Sequence, residues 1–142
     1  MSSIVACPSC GTKNRVPTAS TGRPRCASCQ SDLPWLVEAT DADFDAAVDT
    51  SRLVLVDLWA PWCGPCRMVA PAVERASRDH AGRLKAVKVN VDESPGISNR
   101  FRAQSIPMLV LLRDGQVVDT QIGALPEQQL LAWVARHLDA PA

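Results

Sequence analysis

Leu53-Val54-Leu55-Val56-Asp57-Leu58, followed at 59–66 by Trp-Ala-Pro-Trp-Cys-Gly-Pro-Cys, constrains this chain more than any other stretch. The first run has the length and composition of a strand buried on both faces. The second leaves that strand through a proline turn and opens a helix with two cysteines about one turn apart. A strand buried on both faces needs layers above and below it, so the segment demands a sheet covered by helices. The placement also makes the dithiol reactive. A thiol at a helix N-terminus meets unpaired backbone N–H groups and the positive end of the helix dipole, which favour its thiolate. The thiolate is the nucleophile of disulfide exchange.

The rest of the chain fits one domain with a small appendage. It has 142 residues, 46% of them apolar, and a net charge of zero. The zero net charge offers nothing to nucleic acid. No apolar run approaches the roughly 20 residues that would span a bilayer. The first residues carry neither a basic stretch nor an apolar core of a secretory signal. The expectation is therefore a cytoplasmic, reducing setting, where paired cysteines serve as metal ligands or catalysts.

Residues 1–34 hold few large apolar side chains and need a staple to fold. A boundary is expected near Leu33-Pro34-Trp35, giving a segment 1–34 and a domain 35–142. Beyond it, Leu36–Ala39 has the pattern of an edge strand. Thr40 or Asp41 caps a helix expected to run to about Asp49. Strands are expected at 52–59, Leu84–Val91, Met108–Leu112 and Gln116–Ile122, the last two joined by an Asp114-Gly115 turn. Helices are expected from about Cys63 to His80, over Ser94–Phe101, and from Pro126-Glu127 with Leu130, Leu131, Val134 and Leu138 at helical spacing. Pro71 lies inside the long helix. The order β-α-β-α-β-α-β-β-α implies an α/β fold with a mixed central sheet and helices on both faces.

At this point residues 36–138 resemble the thioredoxin family. The resemblance rests on W-C-G-P-C, the aspartate six residues before its first cysteine, the proline in the second helix, K-V-N-V-D, S-I-P ahead of a strand, the D-G hairpin and Gly123-Ala124. With its four-cysteine N-terminal segment the whole chain is similar to the zinc-containing bacterial branch of that family, thioredoxin-2. The resemblance implies a thioredoxin fold, a protein-disulfide reductase activity and no bound organic cofactor. It implies disulfide-containing protein substrates and an NADPH-dependent flavoprotein thioredoxin reductase as partners; the zero net charge and the short apolar runs point to no nucleic acid and no membrane partner.

In this context Cys63 is the expected nucleophile, nearer to solvent, and Cys66 the resolving thiol. Gly64 lets the turn approach a substrate. Pro65 fixes φ and lacks an N–H that the first turn would leave unpaired anyway. A histidine between the cysteines would favour an oxidant; Gly-Pro favours a reductant. Asp57 interrupts an apolar strand, and alternation puts it on one face with Leu55 and Trp59. Burial there raises its pKa towards neutrality. The resemblance makes it the acid/base partner of Cys66, acting through water, with Lys88 as the neighbouring lysine that moderates its charge. The alternatives are a strand-end carboxylate reaching solvent and an ordinary solvated lysine. Ile106-Pro107 precedes a strand, and a cis bond there costs only about 0.5–1 kcal/mol. In the family this proline faces the dithiol. Trp62, Ile106, Gly123 and Ala124 would complete an apolar groove around it. The family often carries Thr after this proline, where this chain has Met108. Trp59, Trp35 and Trp133 are expected to pack, and His80 and His137 to be solvated.

The other four cysteines are spaced Cys7-x2-Cys10-x15-Cys26-x2-Cys29, as in zinc sites. Each pair forms a knuckle, with Gly11 giving room after the first. Four thiolates suit one tetrahedral Zn²⁺ per chain with no open position, hence a structural role and a small zinc-ribbon-like segment in front of the thioredoxin fold. Rubredoxin-like iron and two disulfides are the alternatives. Lys13, Arg15, Arg23 and Arg25 face Asp32 alone within residues 1–35, a formal +3 that offsets the −2 of a dication with four thiolates. A different functional class remains open: a redox-gated or chaperone-like binding module whose zinc site responds to oxidation.

Overall fold

The computed structural model describes residues 2–20 and 22–139. Two short antiparallel strands come first, β1 (Ser2–Ala6) and β2 (Lys13–Pro17). The main unit follows as β3 (Trp35–Ala39), α1 (Phe44–Ala47), β4 (Leu53–Trp59), α2 (Gly64–Asp79), β5 (Leu84–Asn90), α3 (Pro95–Arg100), β6 (Met108–Arg113), β7 (Gln116–Ile122) and α4 (Glu127–Asp139). The order expected from the sequence holds throughout 36–138. The strand pair in residues 1–34, with its four cysteines, resembles the expected zinc ribbon; its alternation is carried by single residues such as Asn14 and Val16 rather than by an apolar run.

The five-stranded sheet runs β3-β5-β4-β6-β7, with β3, β5 and β4 parallel and β6 and β7 antiparallel to their neighbours. Strand β4 is central and its side chains divide the core. Val54, Val56 and Leu58 pack with Phe44 and Ala47 of α1 and Ile97 of α3. Leu53 and Leu55 pack with Val69, Val73 and Ala76 of α2 and Leu130, Trp133 and Val134 of α4. Alternation therefore aims Asp57 at the layer that holds α2. Between β6 and β7 both Asp114 (φ 53°) and Gly115 (φ 78°) are left-handed, as a two-residue hairpin turn requires.

Helix α1 is shorter than its pattern implies. Asp41 is drawn away, accepting the N–H groups of Gly96 (2.9 Å) and Ile97 (2.8 Å) at the start of α3. Asp43 instead turns back to accept the Thr40 N–H at 2.7 Å. His137 is not a solvated bystander: its Nε2 lies 2.9 Å from Asp119 Oδ2, which also accepts the Trp133 indole N–H at 2.8 Å.

The first segment shares the core of the main unit. Cys7, Val16, Cys26 and Leu33 are buried in the same cluster as Trp35, Val37 and Phe44. Thr18 donates its hydroxyl to the Glu38 carbonyl on the edge strand β3 at 3.1 Å. Fully buried Lys85 donates from Nζ to the Thr18 carbonyl at 2.8 Å and lies 4.6 Å from the centre of the Trp35 ring. Burial pulls the Lys85 pKa down to about 8. The strand pair thus covers the β3 edge, which would otherwise offer unpaired backbone groups.

Candidate functional site

Strand β4 ends at Trp59, and Ala60-Pro61-Trp62 carries the chain to Cys63, which caps α2 in an extended conformation (φ −88°, ψ 108°). Its sulfur accepts the Cys66 N–H at 3.2 Å, so the helix terminus does supply a donor to this sulfur. Cys63 and Cys66 are joined as a disulfide with Cα atoms 5.3 Å apart. They are equally buried, with 4% and 3% of their surfaces exposed, so exposure does not single out Cys63 in the disulfide form. Gly64 and Pro65 are the first two helical residues, as the missing proline N–H permits.

The surroundings come from three other elements. Ile106-Pro107 is cis, and the Ile106 carbonyl oxygen lies 3.8 Å from Cys63 Sγ. Gly123, at φ +96°, donates its N–H to the Pro107 carbonyl at 2.8 Å and so ties the end of β7 to the cis turn. Ile106 and Trp59 pack against the small cluster of Ala60, Cys63 and Cys66. Trp62 is 68% exposed, with its indole N–H donated to Asp92 Oδ2 at 2.9 Å. Ala124 and Pro65 are exposed, and Gly64 is half-buried. Asp92 had no role in the sequence reading, although its residue closes the K-V-N-V-D stretch. The structure assigns it to holding Trp62 beside the dithiol.

Behind the disulfide, Asp57 is 1% exposed and neither carboxylate oxygen has a hydrogen-bond partner among the described residues. Desolvation pushes its pKa up to about 6, with the Lys88 charge pulling the other way. Asp57 and Lys88 are opposite one another in the β4–β5 register. Lys88 Nζ sits 5.0 Å from the centre of the Trp59 ring. An unsatisfied carboxyl that titrates near neutral pH can accept and return a proton.

The second candidate centre lies in the first segment. Both knuckles repeat one backbone pattern. Cys7 N–H bonds the Thr12 carbonyl and Gly11 N–H the Cys7 carbonyl, each at 2.8 Å; Cys26 bonds Ser31 at 2.8 Å and Gln30 bonds Cys26 at 3.0 Å in the same way. Left-handed Gly11 (φ 80°) and Gln30 (φ 66°) occupy equivalent places. All four sulfurs lie within 4.8 Å of one another, with Cys7–Cys29 at 3.6 Å and Cys10–Cys26 at 3.5 Å. A tetrahedron of zinc–thiolate bonds sets its sulfurs about 3.8 Å apart. The four residues are free thiols, and the Cys29 N–H, opposed by burial and aided by the Ser28 N–H and the Asn14 amide, brings the Cys26 pKa down to about 6. This donor set is compatible with a four-thiolate metal ion. No described helix is long and apolar enough to cross a membrane.

The thioredoxin family model matches residues 35–136. A thioredoxin of Haemophilus influenzae is 44% identical over 104 residues, covering 72% of this chain and 97% of that protein. Thioredoxin 1 of Synechococcus elongatus is 48% identical over 100 residues, covering 70% and 94%. A thioredoxin of Staphylococcus aureus is 43% identical over 103 residues, covering 72% and 98%. The match takes in the dithiol, the cis turn and the buried aspartate alike, and the chain belongs to the thioredoxin family of thiol–disulfide oxidoreductases.

Proposed function

We propose that this chain reduces protein disulfides through Cys63 and Cys66, and that residues 1–34 hold one structural zinc ion in front of a catalytic domain at 35–142. The observation that carries the reading is the dithiol at the start of α2 with unpaired, buried Asp57 behind it. The Cys63 thiolate attacks one sulfur of a substrate disulfide, and the other sulfur leaves as a thiolate. Asp57 takes the Cys66 proton through water, with Lys88 moderating its charge. The Cys66 thiolate then attacks Cys63 Sγ, closes the Cys63–Cys66 disulfide and releases the second substrate thiolate. Trp62, Gly64, Pro65, Ile106, Pro107, Gly123 and Ala124 form the surface on which the substrate chain lies. An NADPH-dependent thioredoxin reductase returns the two electrons, and the setting is cytoplasmic.

Zinc, when bound to Cys7, Cys10, Cys26 and Cys29, supplies folding energy to a segment with little core of its own. The sulfur distances and the matching backbone hydrogen bonds of the two knuckles support this reading, which makes the chain similar to zinc-containing thioredoxin-2. The decisive experiment is trapping with Cys66→Ser. Mixed disulfides on Cys63 with cellular proteins, together with insulin reduction by the parental zinc-loaded chain, are expected. A parental chain that leaves insulin disulfides intact would refute the reductase. Elemental analysis finding no zinc, or two, in reduced protein would refute the metal reading.

A further inference from the structure

We propose that Asn14 locks the second cysteine knuckle onto strand β2 and thereby sets how firmly the four-thiolate site holds its metal; the metal half of this inference rests on the zinc reading above. Asn14 is a buried amide, 8% exposed, in a strand of five residues. Burying an amide costs free energy unless its donors and acceptor are engaged. Here they are. Nδ2 donates to the Thr12 carbonyl at 3.0 Å and to Cys26 Sγ at 3.6 Å, and Oδ1 accepts the Ala27 N–H at 2.9 Å. The orientation of the amide follows from these partners, since a carbonyl needs a donor and an N–H an acceptor.

The side chain therefore reaches both knuckles at once. The Thr12 carbonyl is also the acceptor of the Cys7 N–H, which closes the first knuckle. Cys26 and Ala27 belong to the second, which lies twelve residues further along the chain. The other side-chain hydroxyl contacts to the sulfurs are local and exposed: Cys10 Sγ with Thr12 Oγ1 and Cys29 Sγ with Ser31 Oγ, each at 3.3 Å. Among the side-chain donors, Asn14 to Cys26 is the one shielded from water, and its amide adds to the Cys29 and Ser28 N–H groups that already favour the Cys26 thiolate. A donor aimed at a ligating thiolate fixes its direction and stabilises its charge. Loss of such a partner typically costs about 10- to 100-fold in metal affinity.

The test uses the full chain loaded with zinc. Asn14→Ala and Asn14→Asp should each release zinc to a chromogenic chelator about 10- to 100-fold faster than the parental chain. Thr12→Ala removes water-accessible hydroxyl contacts to Cys10 Sγ and Ser28 Oγ and should speed release less than either Asn14 variant. Asn14→Asp keeps an acceptor for Ala27 but loses the donor to Cys26. Amide exchange at Ala27 should therefore speed up in Asn14→Ala and stay slow in Asn14→Asp. Release at the parental rate from both Asn14 variants, in a chain that holds one zinc, would overturn the proposal. A parental chain that holds no zinc defeats the metal reading instead. The clamp is then judged on reduced, metal-free protein, where unchanged Ala27 exchange in Asn14→Ala overturns it and faster exchange upholds it.

Discussion

Asp57 on β4 and Lys88 on β5 face each other across a parallel strand pair, yet neither Asp57 oxygen receives a hydrogen bond from a described residue. The lysine acts on the carboxyl through its field alone and only partly offsets the cost of burial. The carboxyl is left poised near neutrality on the strand that runs into the Cys63–Cys66 turn.

Asp57→Asn should stabilise the fold in a pH-dependent way. The folded-state pKa of about 6 lies above the ordinary aspartate value of 3.8, so the folded protein holds this proton more tightly. The stability this gives is complete below about pH 4 and is lost as pH rises through 6. Relief from the buried charge should therefore reach about 2–3 kcal/mol at pH 8 and vanish near pH 3. The same variant should slow resolution of the mixed disulfide by about 10²-fold or more while leaving attack by Cys63 less affected. Denaturant melts at both pH values, with rapid-quench rates for the two steps, check this. A variant that is less stable at pH 8 and resolves at the parental rate contradicts it.

Lys85→Met should flatten the stability profile at high pH. Burial lowers the Lys85 pKa from 10.5 to about 8, so the fold prefers the neutral amine. Its contribution to stability is complete above 10.5 and is lost as pH falls through 8. The parental chain should gain at most about 3 kcal/mol from this residue between pH 7 and 10.5. Urea unfolding at pH 7, 8.5 and 10 should show that gain in the parent and little of it in Lys85→Met. An identical rise in both would rule it out.

Gly82→Ala should destabilise by about 2–4 kcal/mol. Gly82 has φ +86°, and an added Cβ would lie 2.6 Å from Asp32 Oδ2. Asp32 is itself held by Arg23 at 2.8 Å. Two costs are involved, backbone strain and collision, and a double variant separates them. Adding Asp32→Ala to Gly82→Ala should recover the collision part and leave the strain. Strictly additive melting data would show that the two residues do not meet.

A chain lacking residues 1–34 should still reduce insulin, because every proposed site residue of the dithiol centre lies beyond them. It should melt about 10 °C or more below the full chain, the shift expected for losing a few kcal/mol. The truncation strips Lys85 of the Thr18 carbonyl and uncovers Trp35. Calorimetry and an insulin assay decide. An unchanged melting temperature would mean the first segment is not part of the core.

The sequence by itself determined the element order from 36 onward, the place of the dithiol and the four-cysteine spacing. Those features are local. Alternation over Leu53–Leu58, glycine and proline at turns and helix starts, and paired cysteines each follow from the chemistry of a few neighbouring residues. Only the tertiary structure decided which distant groups meet. Asp41 left its own helix to cap α3, 55 residues away, because two unpaired N–H groups there compete for its carboxylate. Asn14 carries no local mark of its role, which depends on Cys26 and Ala27 folding against it. Lys85 carries no sequence mark of burial, since nothing local records that Thr18 and Trp35 will enclose it. A residue's neighbours along the chain fix its backbone preferences. The dielectric around it, and the partners left for its polar atoms, are fixed by segments that arrive from elsewhere.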